Sequence, residues 1–85
     1  MGKKVNKVKL LRKIYADVEL KSADGFDSAC IGIDERSMRL IYSVRKCIKI
    51  LMVDMDYDQA IEYFEFNISG AWVGDNTPIW CEDDQ

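Results

Sequence analysis

The sequence predicts a small α+β single domain, an antiparallel β-hairpin or sheet packed against about three helices. Three observations lead there. Apolar residues recur at three- and four-residue spacing in three separate stretches, the mark of amphipathic helices. Two short aliphatic runs flank a polar turn, as the strands of a hairpin do. A chain of 85 residues that is 48% hydrophobic and 32% charged, with a single proline, has the composition of a globular domain rather than a disordered tail. At this length it forms one domain, near the lower limit at which a core alone holds a fold.

Along the chain, residues 1–13 hold Lys3, Lys4, Lys7, Lys9, Arg12 and Lys13 without an acid. They read as a basic arm or first helical turn ahead of a domain at 14–81 and an acidic tail at 82–85. Val8, Leu11, Ile14 or Tyr15, and Val18 recur at helical spacing, while Ile14, Ala16, Val18 and Leu20 alternate as a strand would. The lysines and arginine filling the other face, and the stop at Ser22-Ala23-Asp24-Gly25, favour a helix over 7–21. "SACIGID" at 28–34 and "MRLIYS" at 38–43 are the hairpin strands around "ERS", with Gly32 marking a bulge or a close helix contact. Ser43 is placed to cap a helix ending near Val53, whose apolar stripe is Val44, Cys47, Ile48 and Leu51. Asp56 and Gln59 have the spacing of a capping box for a helix over 57–67 that turns Ala60, Ile61 and Phe64 inward. Asn67, Ser69 and Gly70 end it, and "AWV" and "PIW" are two extended pieces around "GDNT".

The stretch "DMDYDQAIEYFE" at 54–65 sets carboxylates where a calcium-binding EF-hand loop needs them, but Gln59 stands at the position that requires glycine for the sharp turn. Asp56 and Asp58 are explained by capping and by the positive end of the helix dipole. No metal is expected. Cys30, Cys47 and Cys81 are odd in number and widely spaced, and the chain has no histidine, so the sequence suggests neither a zinc site nor a disulfide frame. Buried thiols are the expectation. Without histidine the usual proton shuttle is missing too, which makes a non-catalytic protein without cofactors the expectation. No apolar run is long enough for a membrane helix and no secretory pattern follows the basic start, which reads as a cytoplasmic protein.

Charge is segregated. Residues 50–85 carry nine acids, Asp54, Asp56, Asp58, Glu62, Glu65, Asp75, Glu82, Asp83 and Asp84, and no base. An acidic half suits a basic protein partner, while the basic arm is the place where nucleic acid would bind.

Three strings carry a family likeness: "D-G-F-D-S-A-C-I-G" at 24–32, "Y-S-x-x-K-C-x-x-I-L-M" at 42–52, and "Y-D-Q-A-I-E-Y-F-E-F-N-I-S-G-A-W-V-G-D-N-T-P-I" at 57–79. Through them the chain resembles a family of small proteins of tailed phages, prophages and some bacterial genomes, and the E-Y-F-E-F-N-x-x-G-A-W-V-G-x-x-T-P string is the most specific part. The family carries no activity to transfer. What the resemblance implies is a setting, the cytoplasm of a host cell, and from it a job: antagonising or regulating a host factor, such as a defence protein, by covering its surface or sequestering a small signal molecule.

Candidate binding residues concentrate in "FNISGAWVGDNTPIW". Its glycines let a backbone approach a ligand, and its tryptophans can anchor an interface. Asn67, Gly70, Trp72, Gly74, Thr77 and Trp80 form the candidate site, with Glu62 and Glu65 as its acidic rim. Phe66, Trp72 and Ile79 are expected inside and Trp80 exposed as the anchor. If Trp80 instead belongs to the core, the Arg45, Lys46 and Lys49 face is the next surface to consider. Two alternatives stand beside this reading: a nucleotide or small-ligand pocket formed by residues 67–80, and a nucleic-acid accessory using the basic arm. Homo-oligomerisation is left open.

Overall fold

The computed structural model describes residues 6–70, 74 and 76–82. Six elements follow in the order α1 (Lys7–Ile14), β1 (Cys30–Asp34), β2 (Arg39–Ser43), α2 (Val44–Leu51), α3 (Tyr57–Phe64) and β3 (Ile79–Cys81). This is the α+β domain that the sequence predicts, with one addition to the sheet. The strand order is β1-β2-β3, β1 pairing antiparallel to β2 while β3 joins the other side of β2 in parallel. A parallel neighbour needs a long crossover, and here it consists of α2, α3 and the turns after them. The sheet is therefore mixed, and "PIW" supplies the strand that pairs with β2, while "AWV" lies outside the described residues.

Helix α1 is shorter than the expected 7–21. Asn6 caps it, accepting from Lys9 N at 3.1 Å, and the chain leaves helical geometry at Tyr15. At about 100° per residue, Leu20 on a continued helix would point about 120° away from Val8. Breaking the helix frees Leu20 to enter the core, where it is as buried as Val8. Two side chains fasten the turn: Arg12 donates to Ser22 Oγ at 2.8 Å, and the Tyr15 hydroxyl donates to Glu35 on the hairpin turn at 2.5 Å. Residues 7–13 of the basic segment are thus part of a packed helix that rests on β1.

The hairpin forms as expected, β1 starting two residues later than "SACIGID" because Asp27–Ala29 makes a single 3-10 turn. Cys30 pairs with Tyr42 and Gly32 with Ile41, so Ile31 is an extra residue and the bulge lies beside Gly32. Asp34 organises the connection, accepting from Ser37 Oγ at 2.8 Å and Arg36 N at 3.2 Å; these bonds, Ser37's first, hold its carboxyl below its ordinary pKa. Met38 closes the turn in the left-handed region, φ 55°.

Both expected helix starts are present. Ser43 Oγ accepts from Lys46 N at 3.1 Å, and Asp56 and Gln59 make the full capping box, at 2.8 and 3.2 Å. The core lies between the sheet and the helices, built from Leu40, Tyr42, Cys47, Ala60 and Phe64 with Val8, Leu20 and Phe26. Cys30 and Cys47 are buried thiols and Cys81 is half-buried, all three free. Among the described residues no helix is long and apolar enough to cross a membrane.

Candidate functional site

Trp80 decides what the C-terminal segment does. Pairing of Tyr42 with Trp80 across β2 and β3 brings the two rings together, centroids 5.3 Å apart, and Phe64 meets the indole edge-on at 5.4 Å. Such aromatic pairs add to the gain from burial. The expected exposed anchor is therefore a half-buried wall of the core, and its indole N–H is buried with no hydrogen-bond partner among the described residues. Phe66 is corrected in the opposite sense: expected inside, it is 77% exposed. Trp72 lies outside the described residues.

The remaining candidates fall in separate places. Thr77 is buried, and its hydroxyl and N–H both donate to Gly74 O, at 2.6 and 3.1 Å, closing a turn that Gly74 enters at φ 107°. Its role here is to shape the chain ahead of β3. Arg39 Nε donates to Thr77 O at 2.6 Å and Asn76 Nδ2 to Glu19 O at 3.0 Å, which ties the same turn to the hairpin and to the loop after α1. Glu65–Ser69 continues α3 as a π-helical turn. Asn67 Nδ2 and Ser69 Oγ donate to the carbonyls of Tyr63 and Glu65. Gly70 follows, and a Cβ there would meet Glu65 O at 3.2 Å, so close packing rather than ligand approach accounts for this glycine. Ile79 is half-buried in β3.

Glu62 and Glu65 are both exposed but line different hollows. Glu65 borders a groove of about 600 Å³ between α2 and α3. The groove floor is apolar, made by Ile48, Ile61, Phe64 and Trp80. On its α2 side stand Arg45 and Lys49, and Met52 and Tyr57 project at its end, both exposed. Arg45 and Lys49 are four residues apart and share one helix face. A second hollow of about 480 Å³ lies on the other side of the indole, against Phe26, Leu51, Asn67, Ile68 and Pro78. Glu62 instead borders a shallow trough with Asp54, Gln59, Tyr63, Phe66 and Asn67. The described residues named from sequence are thus spread over the groove, the second hollow, the trough and a structural turn, with Trp80 shared by the first two and Asn67 by the second and third.

The groove residues Met52 and Tyr57 were not among the candidates. The signal available was the apolar stripe of α2 running directly into the exposed "MVDM" corner, where large side chains have no helix face to return to. The thiols offer little chemistry: burial pushes Cys47 up to about 12 and raises Cys30 as well, which keeps both protonated near neutrality. Among the described residues no cluster of potential metal ligands occurs, and the carboxylate of Asp56 is engaged in its cap. Compared with family models, curated proteins and solved structures, the chain matches none.

Proposed function

We propose that this is a non-catalytic binding protein that regulates or antagonises a host factor and engages it through the groove between α2 and α3. The observation that carries the reading is the groove itself. It combines an apolar floor, two large exposed side chains at its end and the Arg45 and Lys49 side chains along one wall. Interfaces concentrate their energy where an apolar anchor enters such a hollow beside charged groups. Arg45 and Lys49 share the lining with Glu65 and Glu82, so the groove suits an occupant that carries charged groups of both signs around an apolar one, whether a side-chain cluster on a protein or a small signal molecule. The phage-family resemblance supports a host setting, and the absence of histidine together with the buried, protonated Cys47 supports binding without catalysis.

Capture from host lysate, with native mass spectrometry of whatever co-purifies, identifies the occupant. Lys49→Glu and Met52→Asp, both at exposed positions, are expected to weaken binding about 30-fold or more, the size of a hot-spot loss, with unchanged circular dichroism. Retained binding in both variants removes the groove from the function. A second reading places a small ligand in the hollow beside Asn67 and Pro78. There Asn67→Ala, not Lys49→Glu, is the damaging change.

A further inference from the structure

Two exposed stripes on opposite-charged helices are left uncovered by the fold, and neither belongs to the groove. On α1, Leu10 and Ile14 are 46% and 61% exposed and sit one turn apart, with Lys7 and Lys13 each three residues from Leu10. On α3 and the π-helical turn, Tyr63 and Phe66 are 46% and 77% exposed, three residues apart along the trough that Asp54, Gln59 and Glu62 border. One stripe is an apolar ridge between cations, the other an aromatic trough between anions.

The charges of the two stripes form no ion pair among the described residues. Among the described residues the one ion pair is Lys21 with Glu19, at 3.3 Å. Lys9 and Lys13 on α1, and Asp58 and Glu62 on α3, are like charges four residues apart, an arrangement that weakens a helix. α1 packs against β1 and the 3-10 turn, whereas α3 packs against α2, so the two stripes belong to different parts of the surface. Their chemistry is complementary in both respects, apolar to aromatic and cation to anion.

The geometry points to a second copy of this chain as the occupant: the Leu10 and Ile14 ridge of one molecule seats in the Tyr63 and Phe66 trough of the next, with Lys7 and Lys13 facing Asp54 and Glu62. Because the two surfaces differ, the contact is head-to-tail, and it either closes into a ring or continues into a chain. Each patch is the width of one short helix, which places the contact among small, weak interfaces. Its charged rim makes it sensitive to salt.

Equilibrium sedimentation of the full chain tests this. The weight-average mass is expected to rise with concentration in dilute buffer and to fall back towards the monomer at about 1 M salt, where the Debye length is about 3 Å. Ile14→Asp and Phe66→Asp should each be monomeric alone. Mixed, they should form a dimer and nothing larger, because the first keeps an intact trough and the second an intact ridge. Lys13→Glu and Glu62→Lys supply a second pair: each weakens assembly alone, and a mixture restores it without any apolar change. A wild-type chain that stays monomeric at every concentration overturns the proposal and leaves the trough to a foreign basic partner. So does a mixture that fails to recover association, since it shows that the surfaces do not meet each other.

Discussion

Phe64 and Phe66 stand two residues apart in "EYFEF", yet the first is 4% exposed and the second 77%. Phe64 lies on the face of α3 that meets α2 and Trp80; Phe66 lies about 200° around the helix axis from it, facing water. The difference teaches that helical phase, not aromatic character, allots the interior places in this domain. α3 buries Ala60 and Phe64 and leaves the Tyr63 ring, like Phe66 just beyond it, exposed.

The comparison breaks first if the buried face is not energetically dominant. Phe64→Ala and Trp80→Ala are each expected to cost about 3–5 kcal/mol, the range for removing a large aromatic from a core, read from denaturant midpoints. Losses below about 1 kcal/mol would mean that the Tyr42, Trp80 and Phe64 contact is not a core. A second effect is alkaline. Burial pushes Cys47 and Tyr42 each up to about 12. The unfolded chain releases those protons at about pH 8.5 and 10, so above these values it binds fewer protons than the folded state, and stability falls as pH rises. Stability is full below about pH 8.5 and is lost progressively towards pH 12; Cys47→Ala should remove the earlier part of that loss.

Tyr42→Phe sharpens the same side. Its hydroxyl accepts from Ala23 N at 2.9 Å, and removing it leaves a part-buried donor unpaired, at a cost of about 1–3 kcal/mol. Asp56→Ala, which deletes the acceptor of the α3 cap, should cost about 1 kcal/mol in thermal unfolding. The outer face sets the lower bound: Phe66→Ser is expected to change stability by less than about 0.5 kcal/mol. A larger loss there would erase the contrast from which the two faces were distinguished.

What sequence reasoning recovered was local. The caps at Ser43 and at Asp56 with Gln59, the inward faces of α2 and α3, and the bulge beside Gly32 all depend on residues within one or two turns of one another. What it missed was settled by distant partners. Helix α1 stops at Ile14 because Leu20 has a core to reach, and β3 runs parallel to β2 because the two helices between them carry the chain around. Nothing nearby in sequence reveals Tyr42 as the neighbour of Trp80, and without that neighbour the indole reads as a surface anchor. The eight residues proposed as one site share a sequence neighbourhood, but among those described Trp80 shares the groove with Glu65 and the second hollow with Asn67, Glu62 lies on the trough, Gly70 is packed against the π-helical turn, and Gly74 and Thr77 shape a turn.

The pairing of β3 with β2 also has a consequence in time. Arg39 and Thr77 are 38 positions apart when they bond, as are Tyr42 and Trp80, whereas the hairpin turn closes within a few residues. Closing the longer segment costs more chain entropy before any contact repays it. The hairpin and its flanking helices are therefore expected in the folding nucleus, with β3 docking after the barrier. Replacing Ile79 with valine should then speed unfolding and leave the refolding rate nearly unchanged, whereas Leu40→Ala in the hairpin should slow refolding. The last strand to join governs how long a folded molecule lasts, not how quickly it forms.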